Sequence, residues 1–225
     1  MIVSSVVCPA NTTVSCASQA AVNLDAVMAG DNCGGFTKSF LKDVISNKVC
    51  ENNYTLTRTY KVVDACGSSA TCNQVIRVLD QTPPPIVCPA NITVSCVGEV
   101  PVVNANGFPV SDNCSGTAPT MSWLGDLSMN KTCDNRYQIA RTYRATDACG
   151  FSASCIQKIT VQDQTAPTVV CPASITVSCA AQVPVATPAA ATAQDNCPGG
   201  KVTLSVSDAL SNTTCANRYL ITRTY

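Results

Sequence analysis

The chain has 225 residues, 14 basic and 14 acidic side chains, and no histidine, with 46% apolar residues and only 12% charged. A net charge of zero gives no electrostatic basis for binding nucleic acid or an anionic lipid surface, and the missing histidine removes the usual general base of catalysis. Sixteen cysteines beside one Trp and four Phe exclude a wide aromatic core and point to an oxidising, extracellular setting, since cytosolic thiols are kept reduced.

In chain order, the opening MIVSSVVC has no basic n-region and is too short for a secretory signal. Met1 is expected to start a piece of a longer secreted chain. Residues 8–16, CPANTTVSC, alternate apolar and polar positions as a strand does, and the phrase returns at 88–96 (CPANITVSC) and 171–179 (CPASITVSC). DNC follows at 31–33, 112–114 and 195–197, then CENNY at 50, CDNRY at 133 and CANRY at 215. RTY comes next at 58–60, 141–143 and 223–225, then DACGSSATC at 64–72 and DACGFSASC at 147–155. Units close on VLDQTPPP (78–85) and VQDQTAP (161–167), where proline stiffens the linker.

Five landmarks in constant order define repeats of 1–82, 83–165 and 166–225, the third stopping before the segment that would carry its last two cysteines. A period near 80 residues is too long for a solenoid and fits a small domain. Helical stripes are missing, while YQIARTYRATD (137–147) and KVTLSVSD (201–208) alternate. The expectation is an all-β chain of tandem immunoglobulin-like antiparallel β-sandwiches, stapled by disulfides and joined as a rod. No apolar run approaches the roughly 18 residues of a membrane helix, so no membrane insertion is expected in this segment.

Zinc needs close ligand pairs, usually with histidine, and a reactive dithiol needs Cys-x-x-Cys; neither is present. No serine or cysteine has an activating base beside it, so an enzyme is not expected. Six cysteines in a repeat allow fifteen pairings. On one extended strand the first and second would lie roughly 27 Å apart, at about 3.4 Å per residue, beyond the reach of a disulfide. The fifth and sixth flank a glycine turn and have either local or distant partners open to them. The preferred scheme keeps every bond within a repeat. First to sixth joins Cys8–Cys72 and Cys88–Cys155. Third to fifth joins Cys33–Cys66 and Cys114–Cys149. Second to fourth joins Cys16–Cys50, Cys96–Cys133 and Cys179–Cys215. Cys171 and Cys197 are left without partners.

Third-to-fifth bonding would gather Asp31 with Asp64, and Asp112 with Asp147, at one end of a sandwich, where clustered carboxylates hold Ca²⁺. The competing role for these residues is turn capping through their own backbone, or pairing with Arg58 and Arg141. Asp80 and Asp163 in the linkers pose the same choice. Calcium is thus an optional ligand here, and no cofactor is required.

Taken together, VCPANITVSC, SDNCSG and ARTYRATDACGFSASCIQKITVQDQTAP resemble the hyalin-repeat (HYR-like) domain, an immunoglobulin-like sandwich whose cysteine-rich form occurs in tandem in surface proteins of Bacteroidetes. The resemblance covers all three repeats. It implies a bond from the opening cysteine to the one after the glycine turn, a stalk or spacer role in a secreted or cell-surface adhesin, and export of gliding-associated adhesins by the type IX system. Expected partners are neighbouring repeats of the same chain, with a surface glycan, a protein or self-assembly as alternatives. Trp123 is the aromatic candidate for sugar stacking. A polymerising subunit completed by a donor strand is the remaining alternative.

Overall fold

The computed structural model describes residues 5–30, 34–114 and 116–225. Among them the chain is all-β, with fourteen strands and short 3-10 turns. In the first repeat these are β1 (Ser5–Val7), β2 (Thr12–Val14), β3 (Met28–Gly30), β4 (Phe36–Cys50), β5 (Asn53–Asp64) and β6 (Ser69–Leu79). The second repeat supplies β7 (Ile92–Val94), β8 (Thr120–Cys133), β9 (Arg136–Thr146) and β10 (Ser152–Gln162). The third supplies β11 (Thr168–Val170), β12 (Thr192–Gln194), β13 (Ser207–Cys215) and β14 (Arg218–Thr224).

The first repeat is a sandwich of a four-stranded sheet, ordered β2-β6-β5-β4, and the β1-β3 pair. Strand β5 alternates because one face is covered: Leu56, Tyr60 and Val62 are buried on it. Tyr60 and Val62 form a core with Val27, packed by Val6 of β1, Ala29 of β3, and Ala70 and Cys72 of β6. A second cluster joins Leu56, Ile76 and Val78 to Val14 of β2. The second repeat orders its sheet β7-β10-β9-β8, with Ile139, Ile159 and Val161 packed against Ile92 and Val94.

The opening phrase is not one strand. After β1 the chain leaves its sheet at Cys8-Pro9-Ala10-Asn11 and rejoins the other sheet as β2, parallel to β6. Proline has no amide to donate and biases its predecessor away from regular pairing. The break is then secured by side chains: Asn11 Oδ1 accepts the Val75 amide at 2.8 Å, and Ala10 O accepts Gln74 Nε2 at 2.9 Å. Asn91 repeats the first contact on the Lys158 amide at 2.8 Å, and β7 is likewise parallel to β10. The sheets are therefore mixed, where purely antiparallel pairing was expected. Residues 201–206 also form no strand; β13 begins at Ser207, opposite Thr224 of β14.

By backbone contacts the chain divides into two compact units that do not follow the repeats. One holds Met1–Pro89, Val103–Gly125 and Thr142–Gln157; the other holds Ala90–Val102, Asp126–Arg141 and Lys158–Tyr225.

In each repeat the arginine of the RTY motif points back across the hairpin to an aspartate fifteen residues earlier. Arg58 meets Asp43 at 2.8 Å, Arg141 meets Asp126 at 2.8 Å, and Arg223 meets Asp208 at 2.7 Å. Arg141 also donates to Pro101 O at 2.8 Å. The first two guanidinium groups are buried, and the hydrogen bond to Asp43 holds the Arg58 pKa above its ordinary value. Arg223, more exposed, holds the Asp208 carboxyl below the usual carboxylate range through its hydrogen bond. Truncating the acid beneath a buried guanidinium strands its donors. Asp126→Ala is expected to lower the stability of the oxidised chain by roughly 2 kcal/mol, read by urea unfolding, whereas Asp208→Ala leaves the midpoint unchanged within error.

Candidate functional site

The second-position cysteine of each repeat is positioned by a side-chain box. Gln19 Oε1 accepts the Ser15 and Cys16 amides at 3.0 and 3.2 Å, and Glu99 Oε2 accepts those of Ser95 and Cys96 at 2.8 and 3.2 Å. Gln182 does the same for Ser178 and Cys179, at 3.2 and 3.3 Å. The following amide is held by an asparagine two residues past the fourth cysteine: Ala17 by Asn52 at 2.9 Å, Val97 by Asn135 at 3.0 Å and Ala180 by Asn217 at 3.2 Å. Second and fourth cysteines are thereby held at one end of the repeat.

The fourth cysteine follows a bulge. Asn47, Asn130 and Asn212 adopt φ of 52°, 55° and 53°, a left-handed conformation that asparagine tolerates better than most residues. Each stands three residues before Cys50, Cys133 or Cys215. The fifth cysteine lies in an aspartate-capped loop. Asp64 Oδ1 accepts the Cys66 and Ser68 amides, both at 2.9 Å, and Asp147 Oδ1 accepts those of Cys149 and Phe151 at 2.8 and 2.9 Å. Gly67 and Gly150, at φ 83° and 92°, close the two loops.

First and sixth positions are bonded, Cys8 to Cys72 and Cys88 to Cys155, each with Cα atoms 5.6 Å apart. The other described bonds overturn the within-repeat scheme. Cys16 bonds Cys114, not Cys50; Cys50 bonds Cys149; and Cys96 bonds Cys197, not Cys133. Cys114 and Cys149 are thus not joined to each other, and Cys197, expected to lack a partner, has one. Cys179 and Cys215 are both free rather than paired, and Cys66 is free, while Cys33 lies outside the described residues. The physical reason is direction. Second and fourth cysteines share an end but are held on separate elements that face the following repeat, so each bonds across the repeat boundary.

One rule covers all of this: the second position bonds the third of the next repeat, and the fourth bonds the fifth of the next. Among the described residues the free thiols are Cys66, Cys133, Cys171, Cys179 and Cys215. Each is a position whose complement the three repeats do not supply. The second-to-third cystines are buried, with Cys16, Cys96, Cys114 and Cys197 at 5%, 6%, 4% and 2% exposure, while Cys50 and Cys149 are half-buried. The DNC asparagine lies over each buried cystine, with Asn113 Nδ2 donating toward Cys114 Sγ at 3.2 Å and Asn196 Nδ2 toward Cys197 Sγ at 3.4 Å.

The carboxylates that converge differ from those expected to. Asp64 and Asp147 cap their loops through Oδ1, Asp147 Oδ2 being buried without a hydrogen-bond partner, and Asp31 lies outside the described residues. Asp112 instead approaches the linker Asp80, and Asp195 approaches Asp163, their oxygens lying within 4.8 Å of each other and of the Cys114 or Cys197 sulfur. Asp80 is buried and accepts from Thr82 N at 3.1 Å and Asn113 Nδ2 at 3.3 Å. Asp112 Oδ1 is buried without a hydrogen-bond partner. The sulfurs are already in cystines, so such a cluster offers oxygen ligands only. Trp123 is 46% exposed on β8.

Residues 5–78 match the family described as HYR-like domain with 4 cysteines; six cysteines fall within that stretch here. Comparison with curated proteins returns no match.

Peptide mapping of the unreduced chain is expected to recover Cys16–Cys114, Cys50–Cys149 and Cys96–Cys197 as linked peptides. Finding Cys16–Cys50 or Cys96–Cys133 would restore the within-repeat scheme.

Proposed function

We propose that the chain is a structural spacer of an extracellular or cell-surface protein, in which consecutive HYR-like repeats are locked to one another covalently. The observation that carries this is the double link from the first repeat to the second, Cys16–Cys114 and Cys50–Cys149, spanning 98 and 99 residues of sequence. In a loop-entropy account each such closure contributes about 4–5 kcal/mol by restricting the unfolded chain. Beyond stability, two bonds at one boundary mean that tension cannot part the repeats without breaking sulfur–sulfur bonds. An adhesin stalk is the setting that uses this property, and cysteine density with the HYR-like match supports an extracellular location. Bacterial surface export and a gliding-associated role extend the same reading. The absence of histidine and of any activated nucleophile in the sequence supports a non-enzymatic role.

A second reading, calcium binding, is favoured by the unpartnered Asp112 Oδ1 beside Asp80 and by the recurrence of the pair as Asp163 and Asp195. Hard oxygen ligands of this kind suit Ca²⁺, which would then stiffen each junction rather than take part in chemistry.

Single-molecule pulling tests the spacer reading. The oxidised chain is expected to release far less length than the reduced chain, because residues enclosed by the cross-links stay unextended; equal release would overturn it. For calcium, thermal midpoints are expected to rise with added Ca²⁺ and to lose that response in Asp80→Asn/Asp112→Asn. Calorimetry showing neither heat nor a midpoint shift retires the second reading.

A further inference from the structure

The two bonds that join the first repeat to the second stand in unlike surroundings. Cys16 and Cys114 are buried, and each sulfur lies 3.5 Å from a backbone oxygen, Asn113 O for Cys16 and Ser15 O for Cys114. One carboxylate oxygen each of Asp80 and Asp112 lies within 4.8 Å of the Cys114 sulfur. Cys50 and Cys149 are only half-buried, and Cys149 sits in a turn between the exposed Ala148 and Gly150. We propose that the boundary is a graded redox latch, in which a small thiol reductant opens Cys50–Cys149 while Asp80 and Asp112 keep Cys16–Cys114 closed. This rests on the spacer reading above and names what regulates the links it describes.

Reduction begins when a thiolate attacks one sulfur of the cystine and expels the other as a thiolate. At Cys50–Cys149 the reductant forms a mixed disulfide with one cysteine and releases the other. A second reductant thiolate then displaces the remaining cysteine. Two electrons pass from two reductant thiols to the cystine, the reductant leaves as its own disulfide, and the freed cysteines take up protons from water.

At Cys16–Cys114 the same steps place negative charge, on the incoming and the leaving sulfur, beside two carboxylates and two carbonyl oxygens. Like charges at such range repel strongly even near a protein surface. The opposing contact is a single amide. Asn113 Nδ2 donates to Cys114 Sγ at 3.2 Å, but it is shared with Asp80 Oδ1 at 3.3 Å and Cys16 Sγ at 3.7 Å. Four oxygens against one shared donor make this bond the slower to open. The enclosure recurs around Cys96–Cys197, with Asp163 and Asp195 near the Cys197 sulfur and Asn196 Nδ2 3.4 Å from Cys197 Sγ and 3.7 Å from Cys96 Sγ. Partial reduction thus takes the boundary from two covalent links to one without parting the repeats, and reoxidation restores the second.

The test uses the whole oxidised chain, its free thiols capped with N-ethylmaleimide and a chelator present so that no metal reaches the acids. Limited reduction, quenched with iodoacetamide and mapped by peptide mass, is expected to label Cys50 and Cys149 about tenfold faster than Cys16 and Cys114, a small part of the repulsion that nearby charges can exert. The charge of the reductant separates the acids from burial alone. Cysteamine, whose ammonium offsets its thiolate, outpaces mercaptoethanesulfonate, which carries a second negative charge, by a larger ratio at Cys16–Cys114 than at Cys50–Cys149. In Asp80→Asn/Asp112→Asn the two ratios become equal, whereas a loosened fold would speed both reagents alike and leave the ratios apart. An unchanged Cys8–Cys72 rate shows that this variant is folded, and the ratios in the unaltered chain are decisive without it. Equal labelling, earlier opening of Cys16–Cys114, or one common ratio for both bonds overturns the proposal. If either boundary bond is missing before reduction, the spacer reading fails first; if both are present and open together, this inference alone fails.

Discussion

One hydrogen bond organises the boundary between repeats. The side chain of Asn52, and of Asn135 and Asn217 after it, accepts the amide that follows the second-position cysteine and so ties the opening segment to the far end of the central hairpin. Asn52 and Asn135 are buried while doing so, each with its own carbonyl accepting an amide from the linker, Asp80 N at 2.8 Å and Asp163 N at 3.0 Å. Three strands of the chain thus meet at one residue. A buried amide side chain left unpaired is costly, so the contact is self-enforcing. Everything the boundary does, from the direction of Cys16 to the position of Asp80, depends on that junction being closed.

The interior of each repeat and its boundary are held by different physics. Inside, small β-branched and aromatic side chains such as Val62, Tyr60 and Ile159 fill a narrow sandwich, supported by a buried arginine spanning the hairpin. At the boundary there is little apolar material in the linker, where Asp-Gln-Thr-Pro dominates, and covalent bonds supply the hold. Small domains with limited cores commonly rely on cystines. Here the first-to-sixth bond serves that role within a repeat, while the remaining pairs serve the array.

Much of the architecture was legible because alternation is a direct image of a half-covered strand. The buried positions of β5 and β9 fall on every second residue, and the repeated landmarks mark out the repeats. What misled was treating each repeat as self-contained. CPANITVSC alternates throughout, so it reads as one strand, yet Pro89 breaks it and Asn91 redirects it. The pairing of Cys16 with Cys114 could not be read from one repeat, since both candidate partners of Cys16 lie at the same end and spacing does not say which repeat faces it. The Arg–Asp pairs were legible too, through the constant interval between Asp43, Asp126 or Asp208 and the next cysteine, though these acids stand within strands, away from the turn motifs.

The sequence separation of the boundary bonds also sets an order in time. Cys16 and Cys50 wait for residues 98 and 99 positions further on, and Cys96 for one 101 positions on. A chain emerging N-terminus first can close Cys8–Cys72 as soon as one repeat is out, but it must keep two thiols open until its successor has folded against it. Oxidation that outruns synthesis would leave Cys16 and Cys50, held at the same end of their repeat, open to each other. Faithful assembly is then a matter of pacing: the oxidant has to arrive more slowly than the next repeat.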